Sequence, residues 1–262
     1  MKYNVLILGS GFLGSGIKNN ISKKFKTKII NKNKIHHFIK NSNKFSEFLI
    51  KSKINIIFNC IGDTRKNMSF KNYINPNIKI PLKILHLISK TNITFINFSS
   101  QDEDKVKSIF KKKLFPEYNN YNYAISKYIF TMILKKNLFE NYIFNLTIPI
   151  IYGKKSPKHM LYGEAEECFK RGKKFVIKNP SFLNNFISMQ DFVNIIELLI
   201  LNLLYKKKYC HNVISNNKPQ TVRDFVLSKF PNIKIDHKIK KKISVKNKTL
   251  ITKNKLIIDY FK

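Results

Sequence analysis

The segment NYNYAISKYIF, residues 120–130, sets Tyr123 four residues ahead of Lys127 in a stretch whose apolar residues recur three and four apart. On a helix that spacing puts both side chains on one face, about 6 Å apart at Cβ. An ammonium so placed favours phenolate over phenol and draws a tyrosine, with its ordinary pKa of about 10, toward proton exchange near neutrality. Tyrosine and lysine are plentiful in this chain, so the pair takes its meaning from its company. Ser126 lies between them, and Ser99 and Ser100 close the apolar run NITFINFSS (92–100) just upstream. A serine there either caps the next helix or faces a ligand.

A second pattern opens the chain. In KYNVLILGSGFLGSGIKNNI the run Val5 to Leu8 reads as a buried strand, and a glycine-rich turn then leads into a helical stretch. Gly9, Gly11 and Gly14, with Phe12 and Leu13 between the last two, fit G-x-G-x-x-G. The first glycine permits a tight turn, the second lets backbone approach a pyrophosphate, and the third lets helix pack on strand. The helix N-terminus then offers free N–H groups and a favourable dipole to the phosphates. After the next strand pattern, KTKIIN (26–31), the place of an acidic residue for the ribose hydroxyls of NAD is taken by Asn31, followed by Lys32 and Lys34. A missing carboxylate beside cations suits the 2′-phosphate of NADP, with NAD the alternative.

The elements that must hold these residues alternate. Strand patterns recur at INIIFNCIG (54–62), NITFINFSS (92–100) and YIFNLTIPIIYG (142–153), with helical patterns at NIKIPLKILHLISK (77–90) and YAISKYIFTMILKKN (123–137) between them. Strand alternating with helix predicts an α/β fold: a Rossmann-type doubly wound parallel sheet with ligands at the carboxyl ends of its strands. The division expected is a nucleotide-binding domain over 1–150 and a smaller C-terminal substrate-binding region over 151–262, with the basic stretch KIDHKIKKKISVKNK (234–248) as a solvated, strand-rich tail.

Fifty Lys plus Arg against 15 Asp plus Glu give a formal charge of +35. Such a balance ordinarily points to nucleic acid. Here lysine is spread over the whole length along with abundant Asn and Ile, which reads as compositional bias, so no nucleic-acid partner is expected. Cys60, Cys168 and Cys210 form neither a pairable set nor a metal-ligand spacing, and none of the six histidines has such a spacing, so no metal site is expected and a cytoplasmic, reducing location is. No apolar run reaches transmembrane length; FVNIIELLILNLLY (192–205) reads as a buried helix, and the N-terminal run as a strand before its glycines, so no membrane partner is expected.

The order of these features resembles the extended short-chain dehydrogenase/reductase family, the NAD(P)-dependent nucleotide-sugar epimerases, dehydratases and reductases. The glycine turn, NCIG (59–62), the SS pair and Y-x-x-S-K carry it, and IIYG (150–153), NNFISMQDFVNII (184–196) and YCHNVISNNKPQTVRDFV (209–226) extend it more weakly over nearly the whole chain. The resemblance implies that Tyr123 moves the hydroxyl or carbonyl proton as hydride passes to or from nicotinamide. Lys127 would also hold the nicotinamide ribose, Ser100 would hydrogen-bond the same substrate oxygen, and Cys60, Ile61 and Gly62 would pass along the cofactor. It implies a homodimer paired through two long helices. Thr147 and Asn184 or Asn185 stand where the family has arginines, and Gln101 and Asp102 stand in place of the dehydratases' Asp-Glu pair. The remaining readings are a 4-keto-sugar reductase using NADPH, which the compact length, Asn31 and NCIGDT (59–64) favour, and an epimerase that retains NAD. A non-catalytic NAD(P)-binding or nucleic-acid-associated protein is the alternative of another class.

Overall fold

The computed structural model describes residues 3–65, 68–112, 121–136, 138–201, 209–215 and 218–237, with backbone alone over 109–112. The tail expected over 234–248 lies outside them beyond residue 237. In chain order the first half runs β1 (Asn4–Leu8), α1 (Phe12–Ile21), β2 (Lys26–Ile30), α2 (Lys32–Lys40), α3 (Ser42–Lys51) and β3 (Ile56–Asn59). There follow α4 (Phe70–Ile74), a π-helical turn (Asn75–Lys79), α5 (Ile80–Ile88), β4 (Thr94–Ser100), α6 (Glu103–Lys112), α7 (Asn122–Lys135) and β5 (Ile143–Ile148). After Pro149 come β6 (Ile150–Tyr152), α8 (Leu161–Lys170), β7 (Phe175–Ile177), β8 (Leu183–Asn184), β9 (Phe186–Ser188), α9 (Met189–Leu201), β10 (Tyr209–Val213), β11 (Gln220–Thr221), α10 (Val222–Lys229) and β12 (Ile235–His237).

Contacts divide the chain into two units, one of Met1–Ile148 with Ile196–Asn212, the other of Pro149–Ile195 with the residues from Val213 on. Ile196–Leu201 and Tyr209–Asn212 group with the first unit.

The first unit is built on a six-stranded sheet of order β10-β5-β4-β3-β1-β2. From β2 to β5 every neighbouring pair is parallel. Strands covered on both faces must be apolar without alternation. β3 and β4 are buried throughout, whereas the edge strand β2 alternates exposed and covered residues. Helices bury what three- and four-residue spacing places inward: Ile17 and Ile21 on α1, Phe45 and Leu49 on α3, Phe130 and Leu134 on α7. The order reverses beside β1, since β2 lies on one side and β3 on the other. That switch point opens a crevice at the strands' carboxyl ends.

Two expected elements differ. The helix expected over 77–90 starts at Phe70 and passes through the π-helical turn, where Pro76 and Pro81 each remove an amide donor from the ladder. The strand expected over 142–153 breaks at Pro149 for the same reason, and β6 pairs with β9 in the second unit instead. That unit adds the pairs β7 with β12 and β8 with β11, and its core gathers Ala165, Phe175, Phe186, Phe225 and Val226.

Candidate active site

At the switch point the β1–α1 turn requires glycine twice. Gly9 has φ +101°, and a Cβ there would stand 2.9 Å from the Cys60 carbonyl oxygen. A Cβ on Gly14 would stand 2.0 Å from the Gly9 carbonyl oxygen, so only glycine lets α1 lie this close to the turn. Gly11 differs, because a Cβ there would meet nothing within 4 Å. Gly11 is also the N-cap of α1, without a side-chain cap and without an acidic residue in the first turn. Phe12 and Leu13 begin that helix. An open face at uncapped helical N–H groups is the environment a pyrophosphate needs, so these residues fit a dinucleotide.

Cys60 N donates to Leu8 O at 2.9 Å, which brings Cys60, Ile61 and Gly62 to the same end of the sheet. Asn31 follows β2 and caps α2, its side chain accepting from Lys34 N at 3.0 Å. Lys32 opens that helix, exposed, while Lys34 lies over the rings of Phe38 and Phe48.

Ser100 ends β4 and Tyr123 and Lys127 stand one turn apart on α7. The fold brings Ser100 to the hydroxyl of Tyr123, whose ionised form the serine side chain favours. The Lys127 ammonium donates to Phe98 O at 3.0 Å and lies beside Gly62, where a Cβ would stand 3.5 Å from Nζ. The crevice loops and Lys127 therefore meet at Gly62.

Their electrostatics depart from the expectation for Tyr123. Its hydroxyl is held well above the ordinary tyrosine range, first by loss of water and then by the Asp102 carboxylate, with Glu103 and Tyr73 adding to it and the Ser100 bond opposing. The expected lowering by Lys127 does not occur: burial and the carboxylates of Asp102, just before α6, and Glu103, its first residue, raise the hydroxyl, and Ser100 opposes them. Burial brings Lys127 down to about 8, opposed by Glu103 and Cys60. The Cys60 thiol is pushed up by burial and is no reactive thiolate.

Residues that the sequence reading missed hold this site in place. Asn77, in the π-helical turn, donates to Ser126 Oγ at 2.8 Å and accepts from Asp63 N at 3.0 Å, while Ser126 donates to Tyr123 O at 2.7 Å. The loop after Gly62 is thereby tied to α7. A buried ladder crosses the sheet: Asn59 donates to Asn97 at 2.8 Å, Asn97 to Asn145 at 2.7 Å, and Asn145 to Thr131 at 3.0 Å. Thr131 donates on to Glu103 Oε1 at 2.7 Å, which Ser99 also contacts. One signal was available: IIFN, FIN and IFN each place Asn behind two apolar residues, at positions that prove to be cross-strand partners.

Thr147, Asn184 and Asn185, which stand where the family has arginines, differ in their surroundings. Thr147 Oγ1 lies 2.8 Å from His211 Nε2, Asn184 is in β8, and Asn185 is buried with an Oδ1 that has no hydrogen bond among the described residues. Asp191 sits in the first turn of α9, its backbone N–H donating to Ser188 Oγ at 3.0 Å. Among the described residues no group of three or more His, Cys, Asp or Glu could hold a metal ion, and no helix is long and apolar enough to cross a membrane.

A doubly wound parallel sheet, a glycine turn at its switch point and a Ser/Tyr/Lys cluster beside it define a dinucleotide-dependent enzyme class. The chain belongs to the NAD dependent epimerase/dehydratase family, whose sequence profile matches residues 5–209. No curated protein sequence matches it. Its fold is similar to dTDP-glucose 4,6-dehydratase from Bacillus anthracis in complex with NAD, at 17% identity over 92% of this chain and 85% of that one, TM-score 0.68. It is equally similar to UDP-glucose 4-epimerase from Thermotoga maritima with UDP-glucose, at 16% identity over 92% and 87%, TM-score 0.68. UDP-glucuronic acid 4-epimerase from Bacillus cereus, in complex with UDP-glucuronic acid and NAD, matches at 15% identity over 89% and 85%, TM-score 0.67.

Proposed function

We propose that this chain reduces a 4-keto group on a nucleotide-activated sugar with NADPH. The observation that carries the reading is Asn31: it caps α2 where a carboxylate would hold the ribose hydroxyls of NAD, which favours NADPH as an exchangeable hydride donor. Tyr123 beside Ser100 is the phenol that would give the ketone oxygen its proton. When bound, the nicotinamide would supply hydride. Ser100 and Tyr123 would hold the carbonyl oxygen, Tyr123 giving it a proton, and Lys127 beside Gly62 would hold the ribose. Gly9, Gly11 and Gly14 would admit the pyrophosphate to the N-terminus of α1. Asn31, which caps α2, and exposed Lys32 support NADP, since no carboxylate stands there to repel a 2′-phosphate. The nucleotide-sugar class is supported by UDP-glucose and UDP-glucuronic acid in the similar structures. NAD in those structures favours the epimerase as second reading. A homodimer is proposed from the family resemblance alone.

Denaturing the purified protein and identifying what it releases, then titrating stripped protein with NADPH and NADH by fluorescence, separates the readings. Protein that carries no NAD and binds NADPH reversibly supports the reductase. Retained NAD moves the assignment to the epimerase, and binding of neither cofactor sinks both.

A further inference from the structure

We propose that Glu103 is the buried counter-charge that keeps Lys127 in its ammonium form, and so a positioning residue for the Ser100, Tyr123 and Lys127 site. Glu103 is fully covered. Its Oε1 accepts from Thr131, one turn beyond Lys127 on α7, and contacts Ser99, which adjoins Ser100. Its Oε2 has no hydrogen bond among the described residues. Two hydroxyls on one oxygen leave a buried carboxylate short of compensation, and an opposite charge must supply the rest.

Two cations act on it, Lys107 from its own helix and Lys127 from α7, against Asp104 on α6. Lys107 is 39% exposed and paired with Asp104, where water screens it, whereas Lys127 is only 7% exposed. Lys127 is therefore the buried cation that answers Glu103: its ammonium bonds Phe98 O, next to the Ser99 that contacts Glu103, and the Thr131 that donates to Glu103 lies one turn beyond Lys127 on α7. The hydroxyls of Tyr123 on α7 and Tyr209 on β10 also feel the carboxylate, and the Cys60 thiol faces Lys127 from the end of β3. Burial lifts Glu103 to about 7 and brings Lys127 down to about 8, and each opposes the other's shift. Without the carboxylate Lys127 would lose its proton at a lower pH, and with it the charge that holds the cofactor.

The consequence for cofactor binding rests on the function proposed above, and the charge pair itself does not. Urea unfolding of wild type, Glu103→Gln, Lys127→Met and the double variant tests the pair without any cofactor. Glutamine keeps an acceptor for Ser99 and Thr131, so these proteins should fold. At pH 7.5 the change in unfolding constant caused by Glu103→Gln should differ about tenfold or more between the wild-type background and the Lys127→Met background, and at pH 5.5 the difference should shrink as Glu103 takes up its proton. Equal changes in both backgrounds at both pH values overturn the proposal. NADPH titration against pH gives the second readout: Glu103→Gln should move the alkaline loss of binding down by about one pH unit, and Glu103→Asp should return it toward wild type. An unmoved alkaline limb overturns the positioning role. Wild type that binds no NADPH removes the proposed function, while the unfolding cycle still decides the pair.

Discussion

Tyr123 holds its proton more tightly than a free tyrosine because of what surrounds the hydroxyl. Lysine four residues along a helix is the partner that chain spacing makes visible, but Asp102 and Glu103 reach the same hydroxyl from the start of α6, and burial acts before any of them. Lys127 spends its ammonium on Phe98 O and lies beside Gly62. On the proposed function the two residues would divide the work: Tyr123 as acid, Lys127 as the charge that holds the ribose. Replacing Tyr123 with Phe removes the acid and leaves the glycine turn alone. Turnover of a 4-keto sugar should fall about 10²- to 10⁴-fold with NADPH affinity nearly unchanged, as steady-state kinetics beside fluorescence titration would show. Turnover within about tenfold of wild type would remove Tyr123 from the reaction.

At the scale of elements, the β1–α1 turn uses its glycines for opposite reasons, and the difference can be measured. Gly14→Ala drives a methyl into the Gly9 carbonyl, which is backbone and cannot swing away. Stability in urea should drop by roughly 1–3 kcal/mol or more. Gly11→Ala meets no protein atom, so stability should change little while NADPH affinity falls, because the methyl enters the space left for the pyrophosphate. Equal losses of stability in the two variants would contradict the division of roles. This turn was legible in the sequence because its constraint is local: a strand, three glycines at fixed spacing and a helix. Ser100, Tyr123 and Lys127 were legible for a similar reason, each lying in a short motif at the end or on the face of one element. Asn77 and Glu103 were not. Asn77 looked like the first residue of a helix because the π-helical turn depends on where two prolines fall within a longer one. Glu103 stands between Asp102 and Asp104 with no motif around it, and only the packing of α6 on β4 and α7 closes it in. The asparagine ladder depends on strand register, which a single strand's sequence does not carry.

For the whole molecule the question is what a formal charge of +35 does. The ion pairs seen in the described residues put every cation at the surface, from 38% exposed at Lys105 to 80% at Lys51. Pairs of that kind contribute little each, and 15 acidic residues cannot offset 50 basic ones. The folded chain therefore repels itself, and salt should relieve the repulsion. The screening length falls from about 30 Å at 0.01 M to about 10 Å at 0.1 M, so the urea midpoint should rise over that range. Polyanion binding should respond in the opposite direction. Contacts between scattered lysines and phosphates draw on counterion release, which weakens steeply as salt is added, so retention on heparin or RNA should vanish at moderate salt. NADPH binding should weaken far less, because on the proposed reading much of its contact would be with backbone in the crevice beside Gly9 and Gly62. If RNA instead remains bound at high salt and displaces NADPH, the charge is a recognition surface and the sheet's crevice serves a nucleic acid. If salt strips the polyanion and leaves the cofactor, the lysines are solvated filler around an enzyme whose chemistry is confined to the ends of β1, β3 and β4.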